Sequence, residues 1–168
     1  MQTPTPRPET PPGAGASVWL RLADRIDRLN RRVGKLTYWL VLLAVLISAG
    51  NAVSRKAWSL SSNAMLEIQW YLFAAVFILC AGYTLLSREH VRVDLFYSRM
   101  SRRGQLRVEI FGVLVFLMPV VTLILVLSWP PFMEAWRSGE VSANAGGLIR
   151  WPVKLLIPVG FALLLLQA

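Results

Sequence analysis

The sequence predicts an all-α integral membrane protein with four transmembrane helices, both termini in the cytoplasm, and an amphipathic interfacial helix before the first span. Three observations support this fold class. The 168 residues are 55% hydrophobic and only 16% charged, whereas soluble domains carry about 25% charged residues. Apolar segments approaching or exceeding the ~20 residues that cross a ~30 Å bilayer core recur four times. Basic residues concentrate on alternate connections between these segments.

The N-terminal part of the chain divides into a tail and a helix. Residues 1–16 are rich in Pro and Thr, have little to bury, and are expected to form a disordered tail. Residues 17–35 form a basic amphipathic helix, which we expect to lie among lipid headgroups. Packing on a partner protein is the alternative, and nucleic-acid binding is disfavoured because the arginines flank spans. The apolar stripe is Trp19, Leu22, Ile26, Leu29 and Val33, and the opposite face carries Arg21, Arg25, Arg28, Arg31 and Arg32.

Residues 36–168 form the transmembrane domain, with spans predicted at about 36–53, 66–86, 107–129 and 151–168. The second span has candidate N-cap oxygens on Ser61, Ser62 and Asn63. Pro119 is expected to kink the third span, and Pro130 with Pro131 to end it. The longest connection is then 132–150.

The distribution of Lys and Arg predicts the orientation. Seven precede the first span and six lie between the second and third spans, whereas the other two connections together hold five. Because cytoplasmic loops are enriched in basic residues, thirteen against five places both termini and the central loop in the cytoplasm.

The ionisable residues lie at the ends of the spans, so the sequence offers no mid-membrane transport site of the kind a complete transporter needs. The single His excludes a bis-His haem anchor, the single Cys excludes a disulfide framework, and we expect no cofactor, metal or catalytic residue. The chain is therefore more consistent with a subunit than with a free-standing four-span exporter. A membrane anchor of a respiratory or other enzyme complex is the other alternative.

A polar cluster lies at each end of the second span. Glu67 either stabilises the helix N-terminus as a wet carboxylate or contacts a partner subunit, and Gln69 and Trp70 lie beside it. The second cluster follows residue 87, where His90 is interpreted as a hydrogen-bonded interface histidine and Asp94 as a cap or an ion-pair partner. The residues proposed for partner contact or structure are Glu67, Gln69, Trp70, Arg88, His90, Arg92, Asp94 and Lys154.

A set of short motifs over about 36–168 resembles the small permease (Q, DctQ-type) subunit of tripartite ATP-independent periplasmic (TRAP) transporters. The order and spacing of these motifs across three spans make the combination specific. One departure is Ala145 and Ile149, where such sequences often carry proline. The matching residues are Asn63, Glu67, Gln69-Trp70-Tyr71-Leu72-Phe73, His90-Val91-Arg92-Val93-Asp94, Glu140, Ser142, Gly146-Gly147-Leu148, Trp151, Lys154, Pro158-Val159-Gly160-Phe161 and Gln167.

The resemblance implies a non-enzymatic scaffold subunit in a bacterial inner membrane. Its implied partners are a large multi-span M (DctM-type) permease subunit, a periplasmic substrate-binding protein and membrane lipids. In such systems the large subunit carries the substrate and sodium sites, and the solute is typically an organic acid. The small subunit is expected to hold the static part of the large one.

Overall fold

The structure, a computed structural model, describes residues 14–58, 62–87 and 100–168, with side chains described from Val18 onward. The described chain is helical, which confirms the all-α prediction. Three helical stretches are long and apolar enough to cross a membrane, and Trp151–Gln167 is a shorter apolar helix. The α-helices are α1 (Ala14–Trp58), α2 (Asn63–Leu86), α3 (Arg102–Gly112), α4 (Met118–Ser138) and α5 (Trp151–Gln167), with a π-helical turn (Val113–Leu117) between α3 and α4.

Helix α1 begins at Ala14, so the prediction of a disordered tail is wrong for residues 14–16, and residues 1–13 of that tail lie outside the described residues. The helix runs without interruption through the predicted boundary between the interfacial helix and the first span. Its 45 residues correspond to ~67 Å at 1.5 Å per residue. Asn30, Thr37, Ala44 and Asn51 are all buried and are spaced seven residues apart. A seven-residue repeat keeps these side chains on nearly one face of a helix. The packed face of the first span therefore begins at Asn30, within the predicted interfacial helix. The location of 17–35 in the headgroup layer stays a prediction.

Helix α2 lies at the centre of the bundle and packs against both α1 and α5. Helix α2 approaches both neighbours closely at glycines of α1 and α5. A Cβ added to Gly34 of α1 would lie 2.6 Å from the Tyr83 ring, and one added to Gly160 of α5 would lie 2.7 Å from the Ile78 carbonyl oxygen. The Thr37 hydroxyl lies 2.9 Å from the Cys80 sulfur. Helices this close need small residues at the crossing point, as is common in membrane bundles.

The third apolar helix is longer than predicted. Pro130 and Pro131 were expected to end it, and this prediction is wrong, because α4 continues to Ser138. Phe132 and Ala135, just beyond the prolines, are buried. This packing stabilises the continued helix despite the two backbone donors that the prolines lack. The predicted loop 132–150 is correspondingly reduced to residues 139–150.

A π-helical turn lies next to Pro119, the residue predicted to kink the third span. Pro119 is the second residue of α4, two positions after the last π-helical residue of Val113–Leu117. The Met118 amide donates to the Val113 carbonyl oxygen, a five-residue step in place of the usual four. The helix thus widens just before the proline ring would meet the carbonyl of the preceding turn.

The start of α2 differs in detail from the capping prediction. Ser62 is the N-cap residue, but its side chain makes no capping hydrogen bond. The Asn63 side chain instead donates to the Ala145 carbonyl oxygen at 3.1 Å. A polar residue expected to act locally is therefore used to contact a loop 82 residues later in the chain.

Candidate functional site: the Glu67 cluster

The Glu67 carboxylate joins the first turns of α2 to the loop 139–150. It accepts hydrogen bonds from the Ser142 hydroxyl, from the Asn144 side-chain amide at 2.7 Å and from the Leu148 backbone amide at 2.8 Å. A carboxylate has about four lone-pair sites, so three donors nearly saturate it. Hydrogen bonds to an ionised group are stronger than neutral ones. Glu67 therefore accepts the hydrogen bonds that hold the loop against α2. This role adds to the one predicted for it as a solvent-exposed carboxylate at the helix N-terminus.

The loop itself folds back on Glu140. The Glu140 carboxylate pairs with the Lys154 ammonium and lies 3.9 Å from the Arg150 guanidinium. The backbone adds a bridge between Val141 and Ile149. The Arg150 amide also donates to the Glu140 carbonyl oxygen at 2.8 Å. The carboxylate and the loop backbone thereby tie the start of α5 to the end of α4.

Two glycines provide the backbone conformations that this loop requires. Gly139 ends α4 in the left-handed region at φ 61°, and Gly146 turns the loop at φ 71°. Residues with a Cβ rarely adopt these angles. The turn at Gly146 is followed by the Leu148 amide that donates to Glu67.

Next to the cluster lies a pocket of ≈ 610 Å³. It is bounded by the beginnings of α2 and α5, and it combines apolar walls with ionisable groups. Tyr71 contributes to it and donates from its hydroxyl to the Ile149 carbonyl oxygen at 3.4 Å. The lining residues are Asn63, Leu66, Glu67, Trp70, Tyr71, Ser142, Asn144, Arg150, Val153 and Lys154.

The structure brings some predicted site residues together and leaves others apart. Glu67, Trp70 and Lys154 line one pocket, and Trp70 is 76% exposed. The Gln69 side-chain nitrogen is buried and has no hydrogen-bond partner among the described residues. Their roles in contacting a partner stay predictions. The predicted residues at the other end of α2 lie outside the described residues: Arg88, His90, Arg92 and Asp94.

A second polar cluster, at the opposite end of α5, was not anticipated from the sequence. Asn30 is fully buried, and its side-chain amide donates to the Gln167 side-chain oxygen at 2.8 Å. The Gln167 amide donates in turn to the Asp27 carboxylate at 3.0 Å. Gly82 makes room for this group, since a Cβ there would lie 2.4 Å from the Asn30 side-chain oxygen. The available signal was the spacing of the polar residues Asn30, Thr37 and Asn51 at multiples of seven residues.

Within the described ranges no three His, Cys, Asp or Glu side chains are grouped so as to hold a metal ion. In the first cluster the Glu67 carboxylate accepts from three donors of the same chain. In the second, Asn30, Gln167 and Asp27 are linked in series, while the buried Asn30 side-chain oxygen has no hydrogen-bond partner among the described residues. Their chemistry is that of helix and loop fixation at the two ends of apolar helices, and these helices identify a membrane-embedded protein.

Comparison with known families identifies the kind of membrane protein. A family model described as "Tripartite ATP-independent periplasmic transporters, DctQ component" matches residues 44–168. The match covers well over half of the chain, including the Glu67 cluster, and the resemblance seen in the sequence is thereby confirmed. The chain belongs to the DctQ family, the small permease subunits of TRAP transporters, which are non-enzymatic transport components. No curated protein and no solved structure matches the chain.

Proposed function

We propose that this chain is the scaffold subunit of a sodium-coupled TRAP-type importer of an organic acid or a related solute. In this role it supports the static part of a large DctM-type permease subunit, to which a periplasmic binding protein delivers the solute. The observation that carries the proposal is the location of the ionisable groups. In the described ranges they lie outside the central parts of the apolar stretches. Glu67 and Lys154, near the starts of α2 and α5, are examples, and both are held by hydrogen bonds or ion pairs within the chain.

The family membership supports the partners. TRAP transporters are tripartite by the description of the matched family. A small component without a mid-span charged group needs another subunit to supply the translocation site. We assign the substrate and sodium sites to that subunit.

We further propose four spans, with both termini in the cytoplasm of a bacterial inner membrane. Helix α5 is short, with 17 residues or ~25 Å. Val153 and Lys154 at its start line one pocket with Leu66 and Trp70 in the first turns of α2. Near its end, the Leu163 carbonyl oxygen would lie 3.3 Å from a Cβ added to Gly82 in the last turns of α2. Two helices that run side by side in the same direction over this length occupy the same depth, which supports α5 as the fourth span. The thirteen-to-five distribution of Lys and Arg supports the orientation.

Reconstitution tests the scaffold role. The full chain is placed in proteoliposomes together with its large DctM-type permease subunit, with and without the periplasmic binding protein. Sodium-driven uptake of labelled organic acids is then measured. We expect uptake only when all three proteins are present and the sodium gradient is inward. Flux through the chain alone would contradict the scaffold role, and sodium-independent uptake would contradict the coupling.

A further inference from the structure

The pocket beside Glu67 has the chemistry of a binding site for a zwitterionic amphiphile. Its volume of ≈ 610 Å³ is in the range of small-molecule sites. It lies at one end of the apolar helices, where the side chains of Trp70 and Trp136 are more than half exposed. Aromatic rings of this kind are typical of the membrane–water interface. The pocket is thus placed where a lipid headgroup meets its acyl chains.

The positive group with unused hydrogen-bonding capacity in this pocket is Arg150. Its guanidinium has five N–H donors, and its described ion pair is the 3.9 Å contact with Glu140, at the outer limit for such a pair. The Arg150 side chain is 45% exposed. Lys154, in contrast, is paired closely with the Glu140 carboxylate. Arg150 is therefore the group available for a phosphate, which guanidinium binds well.

The negative group is Glu67. Its three donors leave about one acceptor position on the carboxylate. Glu140 pairs closely with Lys154 and only at 3.9 Å with Arg150, so Arg150 is the more weakly paired cation, and Glu67 is the carboxylate, among the described residues that line the pocket. A ligand that complements both carries a phosphate and an ammonium group.

The remaining walls are apolar. Leu66, Trp70 and Val153 line the same pocket as the charged groups. A soluble zwitterion would leave these walls in contact with water, whereas an acyl chain would cover them at ~25 cal/mol per Å² of apolar surface removed from water.

We propose that this pocket binds one zwitterionic phospholipid. Arg150 holds the phosphodiester, the Glu67 carboxylate accepts from the ammonium, and Leu66, Trp70 and Val153 contact the upper part of an acyl chain. The inference rests on the membrane embedding of the chain.

Native mass spectrometry of the full chain in nonionic detergent tests the site. The purified protein receives equal amounts of phosphatidylethanolamine and phosphatidylglycerol, and the retained lipid is counted per chain. We expect one retained phosphatidylethanolamine, with phosphatidylglycerol retained several-fold less because it lacks the ammonium. Equal or preferential retention of phosphatidylglycerol would overturn the assigned headgroup.

Variants locate the lipid. Arg150→Gln should lower retention about tenfold or more, the effect of losing one charge-assisted hydrogen bond. Arg137→Gln is the matched control, because Arg137 is exposed near the same loop and lines a different pocket. Unchanged retention in the Arg150 variant, or an equal loss in the control, would overturn the site.

A second variant guards against a folding defect. Val153→Trp fills the apolar wall while leaving every charge in place, and we expect it to lower retention at an unchanged unfolding temperature. Water-soluble glycerophosphoethanolamine should compete at least tenfold more weakly than the lipid. Equal competition would show that the headgroup alone is the ligand and would overturn the lipid assignment.

Discussion

The Gly160→Ala substitution provides a sharp test of the packing between α2 and α5. An alanine Cβ at this position would lie 2.2 Å from an Ile78 methyl and 2.7 Å from the Ile78 carbonyl oxygen. The methyl is bonded to the Cβ of a β-branched residue, whose rotation is restricted in a helix, and the carbonyl belongs to the backbone of α2. Ordinary contact begins at 3.4 Å, so α5 must move away from α2 by at least about 0.7 Å (3.4 minus 2.7 Å). Overpacking of this kind costs about 1–3 kcal/mol.

Gly50→Ala is the matched control, because nothing lies within 4 Å of a Cβ at this position of α1. Replacing Gly by Ala inside a helix stabilises by roughly 0.5–1 kcal/mol. Both variants receive this helix gain, so the overpacking cost sets the difference between them. At about 2–4 °C per kcal/mol for a chain of this size, we expect the unfolding temperature of Gly160→Ala in detergent to lie ~2–12 °C below that of Gly50→Ala. Equal unfolding temperatures for the two variants would refute the close approach of α2 and α5.

Three further predictions follow from the polar clusters and the tail. Glu67→Gln should accelerate amide hydrogen exchange across 139–150, because the loop donors lose the negative charge to which they bind. Glu134→Gln, on the exposed face of α4, is the control and should leave exchange across 139–150 unchanged. Unaltered exchange in Glu67→Gln would contradict the role of Glu67 in holding the loop. Gly82→Ala should destabilise the chain, because the added methyl would clash with the Asn30 side chain. Adding Asn30→Ala should relieve this clash, so the double variant should be more stable than the sum of the two single effects predicts. Strictly additive changes in unfolding temperature would contradict the contact between Gly82 and Asn30. Deleting residues 1–13, which precede α1, should leave uptake by the reconstituted complex intact, and lost uptake at normal expression would contradict a dispensable tail.

The features that the sequence predicted correctly depend on signals carried within single segments. The helical class follows from long apolar runs, and the family follows from motifs such as Pro158-Val159-Gly160-Phe161. Local signals failed where a distant contact decides the outcome. Pro130 and Pro131 normally end helices, yet the burial of Phe132 and the packing of Trp136 against Trp151, with ring centroids 4.5 Å apart, hold α4 in register beyond them.

The Glu67 cluster shows the same limit. Its donors lie 75, 77 and 81 residues away along the chain. No periodicity within α2 can identify them, because the pairing depends on how α5 packs beside α2. The sequence places Glu67 at a helix end. It does not show whether the carboxylate is bound only by water or accepts hydrogen bonds from a distant loop. The Asn30 group was detectable in principle, since the seven-residue spacing from Asn30 to Asn51 runs through the boundary assumed at residue 35.

The two polar clusters together fix the register of α5 against its neighbours. Apolar helices in lipid gain little from one sliding position over another, because hydrocarbon surrounds them in each. A slip of one turn, ~5.4 Å, would break the Glu67 bonds at one end of α5 and the Asn30–Gln167 bond at the other. It would also move Gly160 away from the Ile78 backbone and bring a side chain there. These contacts all favour one register of α5 against α2 and α1, which is the property that the proposed static scaffold requires.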